Sequence, residues 1–176
     1  QFMTHYTNLR RDHWGGDVAG RIRLTAEVVR AIRQALGPQA PVGVRISQAK
    51  VNDVAHRWPE GVAAAQTIFA ALADAGASYI HTTEHEAWRS AFDDEGPSLL
   101  RLARQAAPGL ALIANGGVHD AARAQSLLAD GADLVALGRS ALANPAWPQH
   151  VQAGQAVRPF DAALLEPLAT VKPSET

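Results

Sequence analysis

Helix-like and strand-like segments alternate along this chain, and that alternation limits the folds it can adopt. Apolar residues at i, i+3 and i+4 spacing indicate helices, and short apolar runs indicate strands that are covered on both faces. The predicted helices cover residues 18–36, 61–75, 97–107 and 120–129. The predicted strands cover residues 42–47, 79–83, 110–114 and 134–137. Strands that recur at intervals of roughly 25 to 40 residues, with helices between them, form βαβ units and a parallel sheet.

The positions of the glycines help to choose between the common parallel folds. An open dinucleotide-binding sheet has Gly-x-Gly-x-x-Gly after its first strand, and residues 42–47 are not followed by that pattern. Glycines instead follow the last two predicted strands, where (β/α)8 barrels commonly bind phosphate. The 176 residues are fewer than the roughly 250 of a complete barrel. We predict an α/β fold of about four βα units, half of a (β/α)8 TIM barrel; a trimmed, self-sufficient domain is the alternative.

Composition excludes several classes of function. The chain has 16 Lys and Arg residues and 17 Asp and Glu residues, for a net charge of −1, and its cations do not cluster. Non-specific nucleic-acid binding is therefore not expected. No apolar run reaches the ~20 residues of a membrane span and no signal-peptide pattern is present, so we expect a cytoplasmic protein. The absence of cysteine excludes disulfides, thiolate nucleophiles and Cys-ligated metal sites.

Two strand ends carry the residues of a candidate phosphate site. Residues 114–117 read Ala-Asn-Gly-Gly and precede a predicted helix N-terminus at Asp120. Paired glycines let backbone N–H groups approach a phosphate, and a helix N-terminus adds partial positive charge. One βα unit later, Gly138 and Arg139 follow the last strand, and an Arg can hold phosphate with two parallel hydrogen bonds. A plain turn and a surface ion pair explain each motif alone, but the combination favours phosphate.

Two further groups of polar residues lie on or near the predicted strands. Arg45 occupies the polar face of the strand at residues 42–47, where either a structural ion pair or a ligand contact satisfies its charge. In the run His81-Thr-Thr-Glu84-His85-Glu86, His81, Thr83 and His85 share one face of a strand, so two imidazoles and a carboxylate could meet a metal ion. No matched third ligand follows them in the sequence. We therefore favour polar loop residues at the mouth of a barrel over a metal site.

An ordered set of motifs resembles the Old Yellow Enzyme family of NAD(P)H:flavin oxidoreductases. The resemblance begins with Asn-Leu-Arg-Arg-Asp-His-Trp-Gly-Gly at residues 8–16 and covers nearly the whole chain, to about Pro148. It continues through residues 21–29, 42–47, 113–117, 135–139 and 143–145. Trp14 replaces the family's Tyr and Gly20 its Asn, both in a connecting loop and helix start. The resemblance implies the C-terminal half of an FMN-binding TIM barrel over residues 1–150, followed by a helical tail over residues 151–176.

The resemblance also implies roles for particular residues. Arg45 is expected to lie against the isoalloxazine ring of FMN and to stabilise negative charge on the reduced ring. The FMN phosphate is expected at Asn115, Gly116, Gly117, Gly138 and Arg139. No catalytic residue and no metal ligand is expected in this chain, because the family's substrate-binding histidines and its Tyr proton donor belong to the first half of the barrel. The absence of Cys from residues 152–168 resembles the family's compact members, which lack an iron–sulfur cluster.

The implied activity is that of an ene-reductase, an FMN-dependent oxidoreductase. Such an enzyme takes hydride from NAD(P)H and delivers it to an activated alkene such as an enone. We expect this chain alone to be inactive and to need a missing N-terminal half-barrel or a second copy, since an open half-barrel leaves two strand edges unpaired. The alternatives are a non-catalytic half-barrel that binds or associates, and a phosphosugar-binding barrel. The phosphate glycines fit the last equally well, but the pattern at residues 8–16 does not.

Overall fold

One parallel sheet and the helices that cover it make up the described part of the chain. The computed structural model describes residues 1–167. The strands pair in parallel in the order β1-β2-β3-β4. They are β1 (Gly43–Ile46), β2 (Tyr79–Thr83), β3 (Ala111–Asn115) and β4 (Leu134–Ala136). The helices are α1 (Val18–Leu36), α2 (Val62–Asp74), α3 (Leu99–Ala106), α4 (Ala121–Ala129), α5 (Arg139–Ala143), α6 (Trp147–Gln152) and a 3-10 helix (Ala162–Leu165).

Every helix and strand predicted up to residue 137 is present, with ends within two residues of those predicted. One small shift matters for the site: β3 extends to Asn115, which the sequence pattern places in the following loop. Helix α5 is not predicted from the sequence, because five residues are too few to show an apolar period. The end of the tail, residues 168–176, lies outside the described residues. The division between half-barrel and tail at residue 150 stays a prediction.

Side chains alternate between two faces of the sheet. Ile80 and Leu112 are fully buried against the helices, whereas His81 and Thr83 point to the opposite, inner face. The parallel register aligns inner-face side chains in rows, since partners in adjacent strands lie on the same side. One row contains Arg45, His81, Ile113 and Leu134. The row above it contains Thr83, Asn115 and Ala136 at the carboxyl ends of the strands. Rows of this kind fill the interior of a barrel.

Helix α1 is buried on a different stripe from the one that the sequence periodicity emphasises. The stripe of Leu24, Val28, Ile32 and Leu36 is largely exposed, and Val28, Ile32 and Leu36 have exposed fractions of 48%, 40% and 63%. The residues that pack inward are Ile22, Ala26 and Val29. Both stripes have helical spacing, so periodicity alone does not tell which one faces the sheet. No helix within residues 1–167 is long and apolar enough to cross a membrane.

Two arginines make the same contact at the amino ends of alternate strands. Arg33 of α1 donates from Nε and Nη2 to the carbonyl oxygen of Gly76, at 3.0 and 2.8 Å, and from Nη2 to Ser78 Oγ at 2.6 Å. Arg104 of α3 donates in the same way to the carbonyl oxygen of Gly131, at 3.1 and 2.8 Å. Its Nη2 also contacts Asp133 Oδ2 at 2.6 Å. We call these two contacts the arginine forks. They connect α1 to the start of β2 and α3 to the start of β4.

Adjacent leucines of α4 provide a test of the packing. Leu127 is fully buried and Leu128 has an exposed fraction of 43%. Leu127→Ala is expected to lower the free energy of unfolding by about 2–5 kcal/mol, because it leaves a cavity in the core. Leu128→Ala, the matched control, is expected to cost less than about 1 kcal/mol. Urea unfolding followed by circular dichroism measures both, and equal losses would contradict the packing of α4.

Candidate functional site

A cavity of about 210 Å³ opens where β3 and β4 end. Five of the six predicted site residues line it: Asn115, Gly116, Gly117, Gly138 and Arg139. Arg45, the sixth, lies nearby on β1 and does not line this cavity. The remaining lining residues are Glu84, His85, Val118, His119, Ala136 and Ser140. The parallel register explains the convergence, because it brings the carboxyl ends of neighbouring strands to one edge of the sheet.

The glycines of the cavity serve two different purposes. Gly116 has φ +135° and a Cβ there would lie 2.0 Å from the carbonyl oxygen of Glu84, while a Cβ on Gly117, φ +68°, would lie 2.6 Å from the ring of Trp88. Packing of the loop after β2 therefore requires both glycines. Gly138 is different, because its φ is −113° and a Cβ on it would meet no protein atom within 4 Å. Its missing side chain keeps open a space in the cavity that protein atoms do not fill.

The N-terminus of α4 is not open to the cavity in the way the sequence suggests. The carboxylate of Asp120 caps this helix by accepting a hydrogen bond of 2.8 Å from the backbone N–H of Arg123. Val118 and His119, which precede the cap, line the cavity instead. The acidic N-cap satisfies one of the free N–H groups at the start of α4 and offsets part of the positive charge there, so the contribution of this helix to an anion site is reduced.

Arg139 is the cation nearest to the open space at Gly138. Its side chain is exposed and forms no ion pair with any residue between 1 and 167, so the surface ion pair considered as an alternative is not formed there. Helix α5, which begins at Arg139, is fixed at both ends. Ser140 Oγ donates to the carbonyl oxygen of Val118, and Asn144 bonds the backbone of Arg158 through both its Nδ2, at 2.9 Å, and its Oδ1, at 2.8 Å.

Arg45 extends over the inner face of the sheet with uncharged partners. Its Nη2 donates to Thr83 Oγ1 at 3.2 Å and to Asn115 Oδ1 at 3.3 Å. No carboxylate pairs with it in the described part of the chain. Of the two explanations left open by the sequence, the structural ion pair is therefore not formed. The guanidinium keeps its charge available to a ligand on the inner face.

His81 and His85 do not converge on a metal site. His81 points to the inner face beside Arg45, and burial together with the charge of Arg45 lowers the pKa of this imidazole. His85 follows in the loop and lines the cavity. Within residues 1–167, no three His, Asp or Glu side chains come close enough together to hold a metal ion.

Glu84 is a site residue that the sequence analysis names only as a member of the run from His81 to Glu86. Its Oε1 accepts a hydrogen bond of 2.9 Å from the backbone N–H of Gln48, and its own N–H donates to the carbonyl oxygen of Asn115 at 3.0 Å. Glu84 thereby joins the loop that follows β1 to the end of β3. Burial raises the pKa of its carboxyl group above the ordinary range of Glu. The signal available in the sequence was a carboxylate directly after a strand, next to two motif-bearing strands.

Comparison with known proteins adds the family. The sequence model of the NADH:flavin oxidoreductase / NADH oxidase family matches residues 1–157. The chain belongs to this family. Membership of the NADH:flavin oxidoreductase family argues against the phosphosugar-binding alternative.

Similar proteins confirm the resemblance to Old Yellow Enzyme and the partial barrel. The chain is 34% identical to a putative 12-oxophytodienoate reductase of Oryza sativa subsp. japonica over 93% of its length, and 27% identical to an NADH oxidase of Thermoanaerobacter brockii over 88%. Among solved structures, morphinone reductase in complex with tetrahydroNAD matches 92% of the chain with 31% identity and a TM-score of 0.73. An Old Yellow Enzyme homologue from Zymomonas mobilis, 23% identical with a TM-score of 0.74, supports the fold alone.

The chain spans less than half the length of these family members. It covers 24% of the Thermoanaerobacter protein, 41% of the rice protein, 42% of morphinone reductase and 47% of the Zymomonas protein. The predicted fold, a part of a (β/α)8 barrel, is confirmed by this partial match and by the four-stranded parallel sheet. Because the chain covers less than half of each of these proteins, the activity of the whole protein is a proposal.

The raised pKa of Glu84 gives stability a specific pH dependence. Because the folded state favours the neutral carboxyl, Glu84 contributes its full stability below the ordinary Glu pKa of about 4.3. That contribution is lost as the pH rises from there through the raised pKa of the folded state. Glu84→Gln, which keeps an oxygen to accept from Gln48, is expected to remove this loss. Urea unfolding across that pH range measures it, and an unchanged pH profile in the variant would contradict the assignment.

Proposed function

We propose that this chain forms the phosphate-binding part of an FMN site in an NAD(P)H-dependent oxidoreductase of the ene-reductase type. The observation that carries the proposal is the convergence of five predicted residues on one cavity at the ends of β3 and β4. The cavity combines Arg139, which forms no ion pair within residues 1–167, with the open space at Gly138. Planar guanidinium groups and backbone N–H groups are the groups that proteins use most to hold phosphate.

The residues fit a phosphate of FMN in charge as well as in shape. Arg139 supplies the positive charge, and the loop at Gly116 and Gly117 has the backbone freedom that lets N–H groups approach an anion. One carboxyl group, that of Glu84, also lines the cavity. Its Oε1 is turned to the backbone of Gln48, and its raised pKa means that it carries negative charge less readily than an exposed Glu. It is therefore compatible with an anion nearby.

Arg45 is proposed to meet the isoalloxazine ring. FMN, when bound, accepts and donates the hydride, and the protein binds, orients and tunes it. A fixed guanidinium beside the ring stabilises negative charge that develops on reduction, and such preorganised charge is more effective in a site that excludes water. Arg45 suits this role because it lies on the inner face with uncharged partners.

The activity of the whole protein follows from the same proposal. The whole protein would use NAD(P)H to reduce an activated alkene such as an enone. The printed names of similar proteins, an NADH oxidase, a 12-oxophytodienoate reductase and a morphinone reductase with tetrahydroNAD, support a reductase that uses a nicotinamide cofactor. The choice between NADH and NADPH and the cytoplasmic location stay predictions. The partner that completes the barrel is proposed to be an N-terminal half-barrel or a second copy of the chain.

A comparison of FMN with riboflavin tests the phosphate site. Arg139→Ala is expected to weaken FMN binding by about 10- to 100-fold, the value of a charge-assisted hydrogen bond. Riboflavin has no phosphate, so we expect it to bind more weakly than FMN. We expect its affinity to be the same for the variant and the parent chain. Quenching of flavin fluorescence measures both ligands. An equal loss for riboflavin would contradict the assignment of Arg139, and no binding of FMN to the parent chain would contradict the site.

An activity assay tests whether catalysis needs residues outside this chain. The purified 176-residue chain, supplied with FMN, NADPH and a simple enone, is expected to show little or no turnover, because the substrate-binding residues are proposed to lie elsewhere. Gel filtration of the same sample distinguishes self-association from a dispersed monomer. Robust turnover would overturn the proposal that the chain needs a second half. A dispersed monomer without flavin binding would favour a non-catalytic remnant.

A further inference from the structure

We propose that Thr83 and Asn115 are positioning residues that hold the Arg45 guanidinium over the inner face while leaving its charge uncompensated. The proposal rests on the proposed flavin site and assigns Asn115 a different task from the phosphate contact expected of it. The three residues come from three adjacent strands, β1, β2 and β3. Their hydrogen bonds form a connected set at the carboxyl ends of those strands.

The register places the two positioning residues side by side. Thr83 and Asn115 are direct partners in the pairing of β2 with β3, and Asn115 is the partner of Ala136 in β4. Thr83 Oγ1 donates to Asn115 Oδ1 at 2.6 Å, a short bond between the two side chains. Arg45 then donates from Nη2 to both acceptors, at 3.2 Å to Thr83 and at 3.3 Å to Asn115.

The orientation of the Asn115 amide is determined by its surroundings. Nδ2 donates to the carbonyl oxygen of Ala136 at 2.8 Å, and a carbonyl can only accept a hydrogen bond. Rotation of the amide by half a turn would set two oxygens against each other, so Oδ1 must face Thr83 and Arg45. Both lone pairs of Oδ1 are used by these two donors. The side-chain oxygen Oδ1 of Asn115 can therefore accept no further hydrogen bond from a phosphate-bound water or a ligand donor.

Neutral acceptors have a consequence that a carboxylate would not have. An Asp at position 115 would attract the guanidinium more strongly, although its second oxygen would face the carbonyl oxygen of Ala136. Its negative charge would also cancel most of the field of Arg45 on the inner face. Thr83 and Asn115 instead fix the position of the cation and leave its charge for an anionic group. A reduced flavin ring carries such a charge. Positioning and charge can therefore be separated by substitution.

The first experiment compares the affinity of the chain for oxidised FMN and for FMN reduced with dithionite. Thr83→Val is expected to weaken binding of reduced FMN about 3- to 10-fold more than binding of oxidised FMN, as the loss of ordinary hydrogen bonds would do. Asn115→Asp is expected to reduce the same preference by at least as much. Thr82→Val, the matched control, makes the same change on the opposite, buried face of β2 and is expected to leave the preference unchanged.

A double substitution separates positioning from a general structural effect. Arg45→Ala is expected to remove the preference for reduced FMN, and adding Thr83→Val to it should change nothing more, because Thr83 acts through Arg45. Arg139→Ala should weaken both oxidation states equally, since the phosphate is the same in both. Additive effects of Thr83→Val and Arg45→Ala on the preference would overturn the proposal.

The second experiment needs no flavin. The 15Nε–1Hε signal of Arg45 in NMR spectra of the flavin-free chain reports the ps–ns order of its side chain. We expect an ordered side chain in the parent, in Thr82→Val and in Asn115→Asp, and a mobile one in Thr83→Val. Equal mobility in the parent and in Thr83→Val would overturn the positioning role. If no variant binds FMN, the proposed flavin function fails while this measurement still decides the positioning. An ordered Asn115→Asp that keeps the parent's preference for reduced FMN would overturn the role of charge.

Discussion

The close approach of two backbone segments above β2 and β3 is the contact on which the candidate site depends. The loop that follows β2 lies directly against Gly116, so near that no side chain fits between them. The backbone N–H of Ala87 donates to the carbonyl oxygen of Gly116 at 3.3 Å, and that of Glu84 donates to Asn115. These contacts fix the wall of the cavity and the position of Glu84 together. Any residue other than glycine at position 116 would separate the loops.

The electrostatic character of the site follows from what is left unpaired. Arg45 and Arg139 belong to different strand ends, and neither forms an ion pair within the described residues. Other arginines, such as Arg21 with Glu60, are paired in the ordinary way. Unpaired cations on a concave polar surface attract an extended anionic ligand, and FMN carries a phosphate at one end and a ring that becomes negative on reduction at the other.

Much of the fold and of the candidate site could be predicted from the sequence, because both depend on local patterns. The glycine-bearing strand ends at Gly116 and Gly138 were identifiable from their neighbours in the sequence alone. The parallel register then brings these strand ends to one edge of the sheet. What could not be predicted depends on long-range packing. The buried stripe of α1 depends on the helix that packs beside it. The side-chain contacts of Asn115 depend on β3 being one residue longer than the sequence pattern indicates. They also depend on Thr83, which is 32 positions away in the sequence.

The two arginine forks at the amino ends of the strands each join a helix to a strand within one pair of βα units. One fork lies within the unit of α1, β1, α2 and β2, and the other within α3, β3, α4 and β4. Helix α2 contains no Arg or Lys, and within residues 1–167 no such fork joins β2 to β3. The junction between β2 and β3 is held by ladder hydrogen bonds, by apolar packing of α2 on α3, and by the polar contacts at the carboxyl ends of the strands. Arg45 and Thr83 lie on one side of this junction, and Asn115, Gly138 and Arg139 lie on the other. A ligand that contacts both sides would add a further connection across this junction, so binding would stabilise the paired strands as well as fill the site.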